Sequence, residues 1–335
     1  MSVRIGLIGL KGHFSVCTED MGEGRDWKLV AVAEDDAEKL ASVSEWSCVD
    51  AETRTYSNYQ QMLDEVELDV VCEAGVDSTR GGVICACAER GIHVLAEKPL
   101  AFTLEELAAV QDAVHAGGIA LSMMMTMRYE PAYVAMKEAV AGGAIGEVCQ
   151  ASMQKSYRLG QRAAWQKSSQ TFSGIIPFIG IHALDLIWYT SGRHFVWGSG
   201  YAGNTGHPEI GEMEDNACLA LRLDNGGSAA VRLDYCRPAA APTHGDDRLR
   251  LAGSKGVIEA GGCGEIVTLM GQDEAPRELE LPAPLSQWEN FISSIYGDEE
   301  CLVPAADCFY LAELVLRLRE AVKDGTVAQL PAPEV

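Results

Sequence analysis

The chain has 335 residues, with a hydrophobic content of 47% and a charged content of 22%, which is typical of a globular protein of one or two domains. Its formal net charge of −23 argues against a general electrostatic fit to nucleic acid or to an anionic membrane surface. The sequence contains no apolar run of transmembrane length and no signal-peptide pattern. We therefore expect neither a nucleic-acid partner nor a membrane partner.

The chain contains eleven cysteines, but no two have the C-x-x-C spacing of a redox or metal site. Most lie among aliphatic residues, as Cys72, Cys149 and Cys218 do, and are typical of small core side chains. Free thiols of this kind are expected in a reducing compartment. We therefore predict a cytoplasmic protein that holds no metal.

Residues 3–125 alternate between short apolar runs and helical patterns. The apolar runs have the length of buried strands and cover residues 3–9, 28–33, 68–74, 92–96 and 119–125. Helical patterns lie between them at residues 36–43, 59–65, 81–90 and 103–116, and Thr103 with Glu106 has the spacing of a capping box. This alternation predicts an α/β fold, a doubly wound parallel sheet of the Rossmann type over residues 1–122.

The pattern changes after residue 145. Segments 217–223 and 228–235 partly alternate apolar and polar residues, and the turn LDNGGS between them predicts a β-hairpin. Further strand candidates are residues 147–157, 196–202, 248–252, 256–260 and 265–270. We predict an α+β domain over residues 123–335 with a mostly antiparallel, open sheet for substrate binding and oligomerisation. A final helix over residues 305–323 can pack back on the first domain.

The first strand ends in a glycine-containing turn that matches the dinucleotide-binding pattern G-x-G-x-x-G poorly. In the frame G-L-K-G-H-F, which begins at Gly9, Lys11 takes the second glycine position and Phe14 the third, and Gly12 and His13 lie between them. The turn follows the first strand, where such a unit holds a pyrophosphate. We predict that these residues contact a dinucleotide, and an ordinary strand turn is the alternative.

An acidic residue, Glu34, ends the second predicted strand 25 residues after Gly9. Its carboxylate can accept hydrogen bonds from the adenosine ribose, and Asp35 and Asp36 beside it repel a 2′-phosphate. We therefore predict NAD as the cofactor. Lys11 can approach a phosphate and leaves NADP open, and a solvated strand end is the alternative interpretation of the acidic residues.

The segment VDSTRGGVICACAERGIHVLAEKPL resembles the one that ends in E-K-P in the Gfo/Idh/MocA oxidoreductases, named for glucose–fructose oxidoreductase and inositol dehydrogenase. Four later stretches resemble that family in the same order: residues 128–148, 180–186, 214–226 and 248–260. Each stretch is a weak match alone, but their order and spacing together are typical of the family. The resemblance implies a nicotinamide-dependent oxidoreductase with further dinucleotide contacts from Gly75, Asp77, Glu97, Lys98 and Arg128.

Lys98 ends the fourth predicted strand, and ligands bind at the carboxyl ends of strands in an open parallel sheet. Pro99 restricts Lys98 to an extended conformation, and a lysine at this place can donate to a substrate hydroxyl and transfer its proton. The resemblance implies that Lys98 is catalytic, that His182 is a second polar contact for the reacting carbinol, and that Asp185 orients structure nearby. A solvated Lys98–Glu97 ion pair and a buried core histidine are the alternatives.

Several positions depart from the pattern of the family. Phe178 stands where its dehydrogenases usually have an aspartate, four residues before His182, and Val76, Asp77 and Arg80 replace a proline, an asparagine and a histidine. Either the substrate or catalytic base differs, or redox activity has been lost and binding retained.

Three residues are further candidates for substrate contacts. Arg80 can pair with a carboxylate on the substrate. Tyr157 and Trp165 can form part of a wall that faces a sugar, although the loop that contains Trp165 can equally pack on a second subunit.

We predict an NAD(H)-dependent dehydrogenase that oxidises or reduces a carbinol of a sugar, polyol or related cyclic alcohol, assembled as a homodimer or homotetramer. One alternative is a non-catalytic regulator that binds a sugar or nucleotide on the same scaffold. Another is an enzyme that uses tightly bound NAD without net redox change, such as an epimerase or a glycosidase.

Overall fold

The computed structural model describes residues 2–21 and 26–333, and the chain divides into two compact units. The first unit comprises Met1–Met124 and Ser286–Phe309, and the second comprises Met125–Leu285 and Tyr310–Val335. The sequence analysis placed the domain boundary at residue 122 and all later residues in the second domain. In the structure, residues 286–309 belong to the first unit.

The strands of the described residues fall into two sheets. Their bounds in chain order are β1 Val3–Ile8, β2 Trp27–Ala33, β3 Arg54–Tyr56, β4 Val70–Glu73, β5 His93–Ala96, β6 Leu121–Met123, β7 Val148–Arg158, β8 Phe195–Gly203, β9 Asn216–Leu223, β10 Ser228–Arg237, β11 Arg248–Gly253, β12 Gly256–Gly261, β13 Ile266–Gly271, β14 Arg277–Glu278 and β15 Ala328–Gln329. The predicted strand runs all coincide with strands of this set to within about two residues at each end.

The described residues also form α-helices, numbered here in chain order. Their bounds are α1 Ser15–Thr18, α2 Ala37–Ser42, α3 Tyr59–Glu65, α4 Asp77–Ala88, α5 Leu104–Gly117, α6 Pro131–Ala141, α7 Ile181–Ser191, α8 Gln287–Ile295 and α9 Ala305–Asp324. Short side chains that accept backbone N–H groups begin several of them, namely Asp36, Asn58, Thr103 and Ser286. The capping box predicted for Thr103 forms, because the Glu106 N–H donates to its hydroxyl at 3.1 Å.

The sheet of the first unit has six parallel strands in the order β3-β2-β1-β4-β5-β6. This is the strand order of a doubly wound dinucleotide-binding fold. Strands β1 to β3 extend the sheet toward one edge and strands β4 to β6 toward the other, so the order switches between β1 and β4. Strands buried on both faces are mostly apolar, and β1 and β4 fit this with Arg4 and Glu73 as their charged residues. The predicted fold class is confirmed for this unit.

A helix far away in the sequence completes the core of the first unit. Trp288 and Phe291 of α8 are buried in the same apolar cluster as Ile5 and Leu7 of β1. The Gln287 side chain also donates to the Met123 carbonyl at 2.8 Å, which fixes α8 beside the end of β6. No sequence pattern predicted α8, since its partners lie near the beginning of the chain.

The second unit contains a sheet of nine strands in the order β14-β13-β12-β11-β7-β10-β9-β8-β15. All neighbours are antiparallel except β7 and β10, which run parallel. Alternate residues of β9 are buried, with Leu219 and Leu221 on the covered face and Cys218 and Ala220 on the exposed face. The predicted mostly antiparallel sheet with one covered face is thereby confirmed.

The predicted hairpin joins β9 to β10. Gly226 has a φ of +88°, and the Gly227 N–H donates to the Asn225 side chain at 3.0 Å. A left-handed backbone at this place favours glycine, which explains the N-G-G sequence of the turn.

Two further findings concern the whole described chain. No helix within residues 2–21 and 26–333 is long and apolar enough to cross a membrane. All eleven cysteines are free thiols.

Candidate active site

A cleft of about 340 Å³ lies in the first unit at the carboxyl ends of β1, β2 and β4. It opens where the strand order reverses, which is the place where open parallel sheets bind their ligands. Glycines and polar side chains from the three strand ends line it, among them Gly9, Lys11, Glu34, Asp35, Gly75 and Thr79.

The glycine turn after β1 is packed against the end of β4. Gly9 has a φ of +82°, and a Cβ atom there would lie 2.5 Å from the Cα of Gly75, so only glycine fits. The backbone N–H groups of Lys11 and Gly12 both donate to the Ala74 carbonyl, at 2.9 and 3.1 Å. The turn thus forms a narrow cradle that a dinucleotide can approach closely, which fits the predicted cofactor.

The third glycine position of the motif is filled by a large side chain. The Phe14 ring stacks on Trp46 with centroids 5.4 Å apart and planes 7° apart. A glycine at this position lets a helix approach its strand closely, whereas here the aromatic pair fills the space. Phe14 therefore serves packing, and a contact between Phe14 and the dinucleotide stays a prediction.

Glu34 is buried at the end of β2, and both of its carboxylate oxygens are engaged. Oε2 accepts the Leu10 N–H at 2.6 Å, and Oε1 accepts the Asp36 N–H at 2.9 Å. The Nζ of Lys11 lies 3.1 Å from Oε1. Glu34 therefore holds the glycine turn to β2, and its predicted bond to a ribose remains a prediction.

Lys98 lies directly after β5 and is only 2% exposed. Its Nζ is 3.7 Å from Oε1 of Glu97, its backbone N–H donates to the same oxygen at 3.0 Å, and its peptide bond to Pro99 is cis. Since both side chains are buried, a solvated surface ion pair is excluded. An ammonium group in such a place is able to exchange a proton with a bound hydroxyl.

Glu97 connects Lys98 to the glycine turn. Its Oε2 accepts the backbone N–H of His13 at 2.7 Å and lies 2.6 Å from the His13 Nδ1. Burial by itself raises the pKa of Glu97, but Lys98 and His13 more than offset this and hold the pKa well below its usual value. Gly12 leaves room for this carboxylate, since a side chain there would collide with it.

Arg80 lies within the first unit with its guanidinium fully buried. It donates to Oε2 of Glu73 at 2.7 Å, to the Pro99 carbonyl at 2.7 Å and to the Gly75 carbonyl at 3.0 Å. Asp77 lies 3.4 Å from the same group and is equally buried. In this arrangement Arg80 supports the strand ends, and its predicted contact with a substrate carboxylate stays a prediction.

Sequence reasoning missed Glu73, the partner of Arg80. The sequence did contain a signal for this residue. Glu73 is the charged residue of β4, whose other residues are buried and apolar. A carboxylate in such a strand needs a cation, and Arg80 lies seven residues later, on the next helix.

In the second unit, Arg128 and Asp185 form a buried ion pair. The Arg128 Nε and Nη2 donate to the same carboxylate oxygen at 2.8 and 2.6 Å. The guanidinium also lies over the rings of Trp188 and Tyr189, at 5.2 and 5.1 Å from their centroids. The pair joins the segment before α6 to α7, in keeping with an orienting role for Asp185, and a contact between Arg128 and the dinucleotide stays a prediction.

His182 is on the first turn of α7 and is 8% exposed. A π-helical turn over Ile176–Gly180 directly precedes α7 and contains Phe178. Such turns often mark functional sites, because they shift the side chains of a helix by one position. The Phe178 ring packs on Phe172 and Trp165, with centroids 5.0 and 6.2 Å away. An aromatic cluster thus stands where the family has a carboxylate, and the catalytic role of His182 stays a prediction.

Tyr157, one residue before the end of β7, lies beside a buried ion pair that sequence reasoning missed. Its hydroxyl donates to Oδ2 of Asp247 at 3.1 Å, and the same oxygen lies 2.6 Å from Nζ of Lys155. Lys155 lies on the covered face of β7, together with Ala151 and Met153. A charged residue at a position that the alternation predicts to be buried was the signal in the sequence. The predicted substrate contacts of Tyr157 and Trp165 remain predictions.

Glu130 stands next to this ion pair, and burial and Asp247 raise its pKa from 4.5 to about 7 despite the opposing charge of Lys155. Because the native state favours the protonated acid, Glu130 adds stability that is complete below about pH 4.5 and is lost as the pH rises through about 7. We expect the wild type to lose more free energy of unfolding across this range than Glu130→Gln. Urea unfolding at several pH values measures this, with the exposed Glu280→Gln as control. Parallel pH curves for the wild type and Glu130→Gln would contradict it.

Within the part of the chain that the structure describes, His207, Asp215 and Cys236 offer potential metal-ligand atoms within 4.8 Å of one another. The Asp215 carboxylate accepts backbone N–H groups of Thr205 and Gly206, so it already has a role in holding its loop. The prediction that the protein holds no metal stays a prediction.

Taken together, the strand order and the cradle at the β1 turn define a dinucleotide-binding domain of the Rossmann class. Comparison with known proteins agrees. Residues 3–124 match the model of an oxidoreductase family with an NAD-binding Rossmann fold, and residues 133–259 match the Gfo/Idh/MocA C-terminal domain.

Relatives with curated descriptions are 24–30% identical to the chain over the aligned residues. Inositol 2-dehydrogenase 2 of Saccharopolyspora erythraea is 29% identical over 68% of this chain, and that of Paenarthrobacter aurescens is 30% identical over 70%. The chain spans 65% of the first protein's length, which is slightly less than two thirds, and 69% of the second. A solved structure from Thermotoga maritima, provisionally described as an oxidoreductase, is 30% identical with a TM-score of 0.92 and covers 98% of this chain and 100% of its own.

The chain belongs to the Gfo/Idh/MocA oxidoreductase family, as the resemblance predicted. The first unit is its NAD-binding domain.

Proposed function

We propose that the protein is an NAD(H)-dependent dehydrogenase that oxidises or reduces a carbinol of a sugar, polyol or related cyclic alcohol. The observation that carries the proposal is Lys98, an ammonium group withdrawn from solvent at the carboxyl end of β5 and fixed by Glu97. The inositol dehydrogenases among the relatives support the substrate class.

In this proposal the bound dinucleotide supplies the hydride acceptor or donor. Glycines 9, 12 and 75 let it approach the backbone, and Glu97 keeps the glycine turn and Lys98 in a fixed relation. As the neutral amine, Lys98 takes up the hydroxyl proton of the substrate during oxidation, and as the ammonium it returns that proton during reduction. His182 is proposed as a second polar contact of the carbinol, and Asp185, held by Arg128, orients α7.

A substrate screen tests the proposal. The purified protein is mixed with NAD and, one at a time, with inositols, aldoses and polyols, and reduced nicotinamide is followed by absorbance. We expect NADH to form with at least one member of the panel, and the rate to saturate with its concentration. Binding of NADH, followed separately by fluorescence, is the control that the protein is competent. Tight NADH binding without turnover on any substrate would contradict the proposal.

Phe178 favours a second candidate function, which has two forms. The first is an enzyme that retains NAD through purification and gives no net redox change, and the second is a non-catalytic binding protein. The aromatic cluster of Phe178, Phe172 and Trp165 has no group that could accept a proton at this position. Product formation without net NADH supports the first form of this candidate. Ligand binding without any product supports the second.

We further propose a homodimer or homotetramer in the cytoplasm, with no nucleic-acid partner. The exposed face of the nine-stranded sheet presents small side chains, such as Ser152, Ala220 and Ala230, that would permit close, flat packing on a second copy. The eleven free thiols support a reducing compartment, and the net charge of −23 argues against nucleic acid.

A further inference from the structure

The part of the chain that the structure describes contains seven buried carboxylates, and six of them are paired with a cation. Each of the six lies within 3.7 Å of a lysine or arginine nitrogen: Glu34, Glu73, Asp77, Glu97, Asp185 and Asp247. The seventh, Asp215, is fully buried, and no lysine, arginine or histidine nitrogen among the described residues lies within 4.0 Å of its oxygens. Buried charges in proteins are paired or bound to a metal ion, so Asp215 is an exception among these carboxylates.

Asp215 directly precedes β9, and its carboxylate is held by the loop that joins β8 to β9. Oδ2 accepts the Gly206 N–H at 2.6 Å, and Oδ1 accepts the Asn216 side chain at 2.6 Å. The Thr205 N–H lies 3.2 Å from both oxygens. All these donors are neutral, so they fix the orientation of the carboxylate without cancelling its charge. Metal-ligating carboxylates are commonly oriented by hydrogen bonds of this kind.

A thiol and an imidazole lie beside this carboxylate. Cys236 is the last residue but one of β10, His207 is on the β8–β9 loop, and ligand atoms of the two and of Asp215 all lie within 4.8 Å of one another. Gly206 keeps the space around them open, because a Cβ atom there would lie 3.1 Å from the Asp215 Oδ2 and 3.8 Å from the Cys236 Sγ. Neighbouring ligand atoms of tetrahedral zinc are about 3.3–3.6 Å apart, so small side-chain rotations bring the three into coordination.

The surroundings of the His207 ring are also those of a metal ligand. Nε2 lies 3.1 Å from the Tyr235 carbonyl oxygen, which can only accept, so one ring nitrogen keeps its proton and the other presents a lone pair. Ligating histidines commonly donate their second N–H to a carbonyl in this way. The His207 N–H donates to the Asn204 side chain at 3.2 Å, and that side chain donates to the His207 carbonyl at 2.8 Å, so the backbone that carries the ring is fixed.

We propose that His207, Asp215 and Cys236 bind a zinc ion, with water or Glu209, whose Oε1 lies 3.4 Å from the His207 Nδ1, in the fourth position. A thiolate with an imidazole and a carboxylate suits this borderline-soft cation, whereas Mg²⁺ and Ca²⁺ prefer oxygen ligands. The Cys236 thiol gives its proton to the solvent as the S–Zn bond forms. The ion supplies a positive charge beside Asp215 and joins the β8–β9 loop to the end of β10.

The zinc site goes against the prediction, made from the cysteine spacing, that the protein holds no metal. His207 and Cys236 are 29 residues apart in the sequence, and they come together only because β9 pairs with β10. The site is also independent of the proposed function, since zinc binding can be measured without NAD and without a substrate. Failure of either proposal therefore leaves the other unaffected.

The test titrates the full chain, freed of metal with a chelator, with Zn²⁺ in competition with a chromogenic chelator. We expect one Zn²⁺ per chain, with a Kd below about 1 µM. Titration with Co²⁺ should produce the charge-transfer absorption band of a thiolate–Co²⁺ bond. The midpoint of thermal unfolding should rise when Zn²⁺ is added, because an ion that binds the native state stabilises it.

Variants of the ligands make the test specific. Cys236→Ser changes an exposed side chain and should fold as the wild type does by circular dichroism, lose the Co²⁺ band and bind Zn²⁺ at least about 100-fold more weakly, as should His207→Gln. The matched controls are Cys218→Ser, another exposed thiol of the same sheet, and His194→Gln, another half-buried histidine near a carboxylate. Both should bind Zn²⁺ as the wild type does. A wild type that binds no Zn²⁺, a Co²⁺ band that survives in Cys236→Ser, or an equal loss in the controls would overturn the inference.

Discussion

Replacing Lys98 by methionine is expected to lower the turnover number about 100- to 10,000-fold, the usual contribution of a positioned acid–base group. Methionine has a similar length but cannot carry a proton. NADH binding should change little, because the glycine turn keeps its own contacts through Glu34, Ala74 and Glu97. Steady-state rates on the best substrate of the panel, with NADH titrations beside them, measure both effects.

A second variant separates proton transfer from the charge balance of the buried site. Lys98→Arg keeps a cation beside Glu97 but holds its proton too strongly to transfer it, so it should be folded and nearly inactive. Lys28→Met, which removes a lysine from the surface pairs with Asp50 and Glu52, should behave as the wild type. Retained turnover in Lys98→Met, or an equal loss of NADH affinity, would reject the catalytic role of Lys98.

The largest effect on stability is expected for Arg80→Met. It leaves Glu73 as a buried charge without its cation, which typically costs about 3–5 kcal/mol in the free energy of unfolding. The change also removes the donors to the carbonyls of Gly75 and Pro99, on either side of the site. Urea unfolding followed by circular dichroism measures the loss.

Two further variants make this expectation specific. Glu73→Gln/Arg80→Met removes both charges and should recover part of the loss, because no buried charge remains unpaired. Arg90→Met removes a more exposed pair with Asp64 and should cost about 0–1 kcal/mol. A double variant that is less stable than Arg80→Met would show that the Arg80–Glu73 pair is not the source of the stability.

The fold could be predicted because it depends on patterns local in sequence. Short apolar runs that alternate with helices predict five of the six strands of the parallel sheet. Period-two alternation and the N-G-G turn predict β9 and β10. The strand β3 was missed because only Tyr56 of its three residues is buried. The helix α8 was missed because its core partners in β1 lie about 280 residues earlier, which no local pattern can reveal.

The site was only partly predictable, for a different reason. Motif positions identified Lys98, Glu34 and the glycine turn, but they could not tell which groups a charged side chain would meet. Glu73 escaped notice as the buried partner of Arg80 because it lies on another element. The Lys155–Asp247 pair escaped notice because its members are 92 residues apart. Pairing of buried charges is decided by tertiary structure, not by spacing.

The exposed thiols of the nine-stranded sheet have a practical consequence. Cys149 near the beginning of β7 and Cys218 on the uncovered face of β9 are both exposed, so air oxidation can join two molecules through an intermolecular disulfide. A covalent pair formed in storage would have the mass of a dimer whether or not the sheets associate by themselves. Preparations kept with a reductant avoid this artefact, and the molecular mass measured with and without it reveals how much of any dimer is cross-linked.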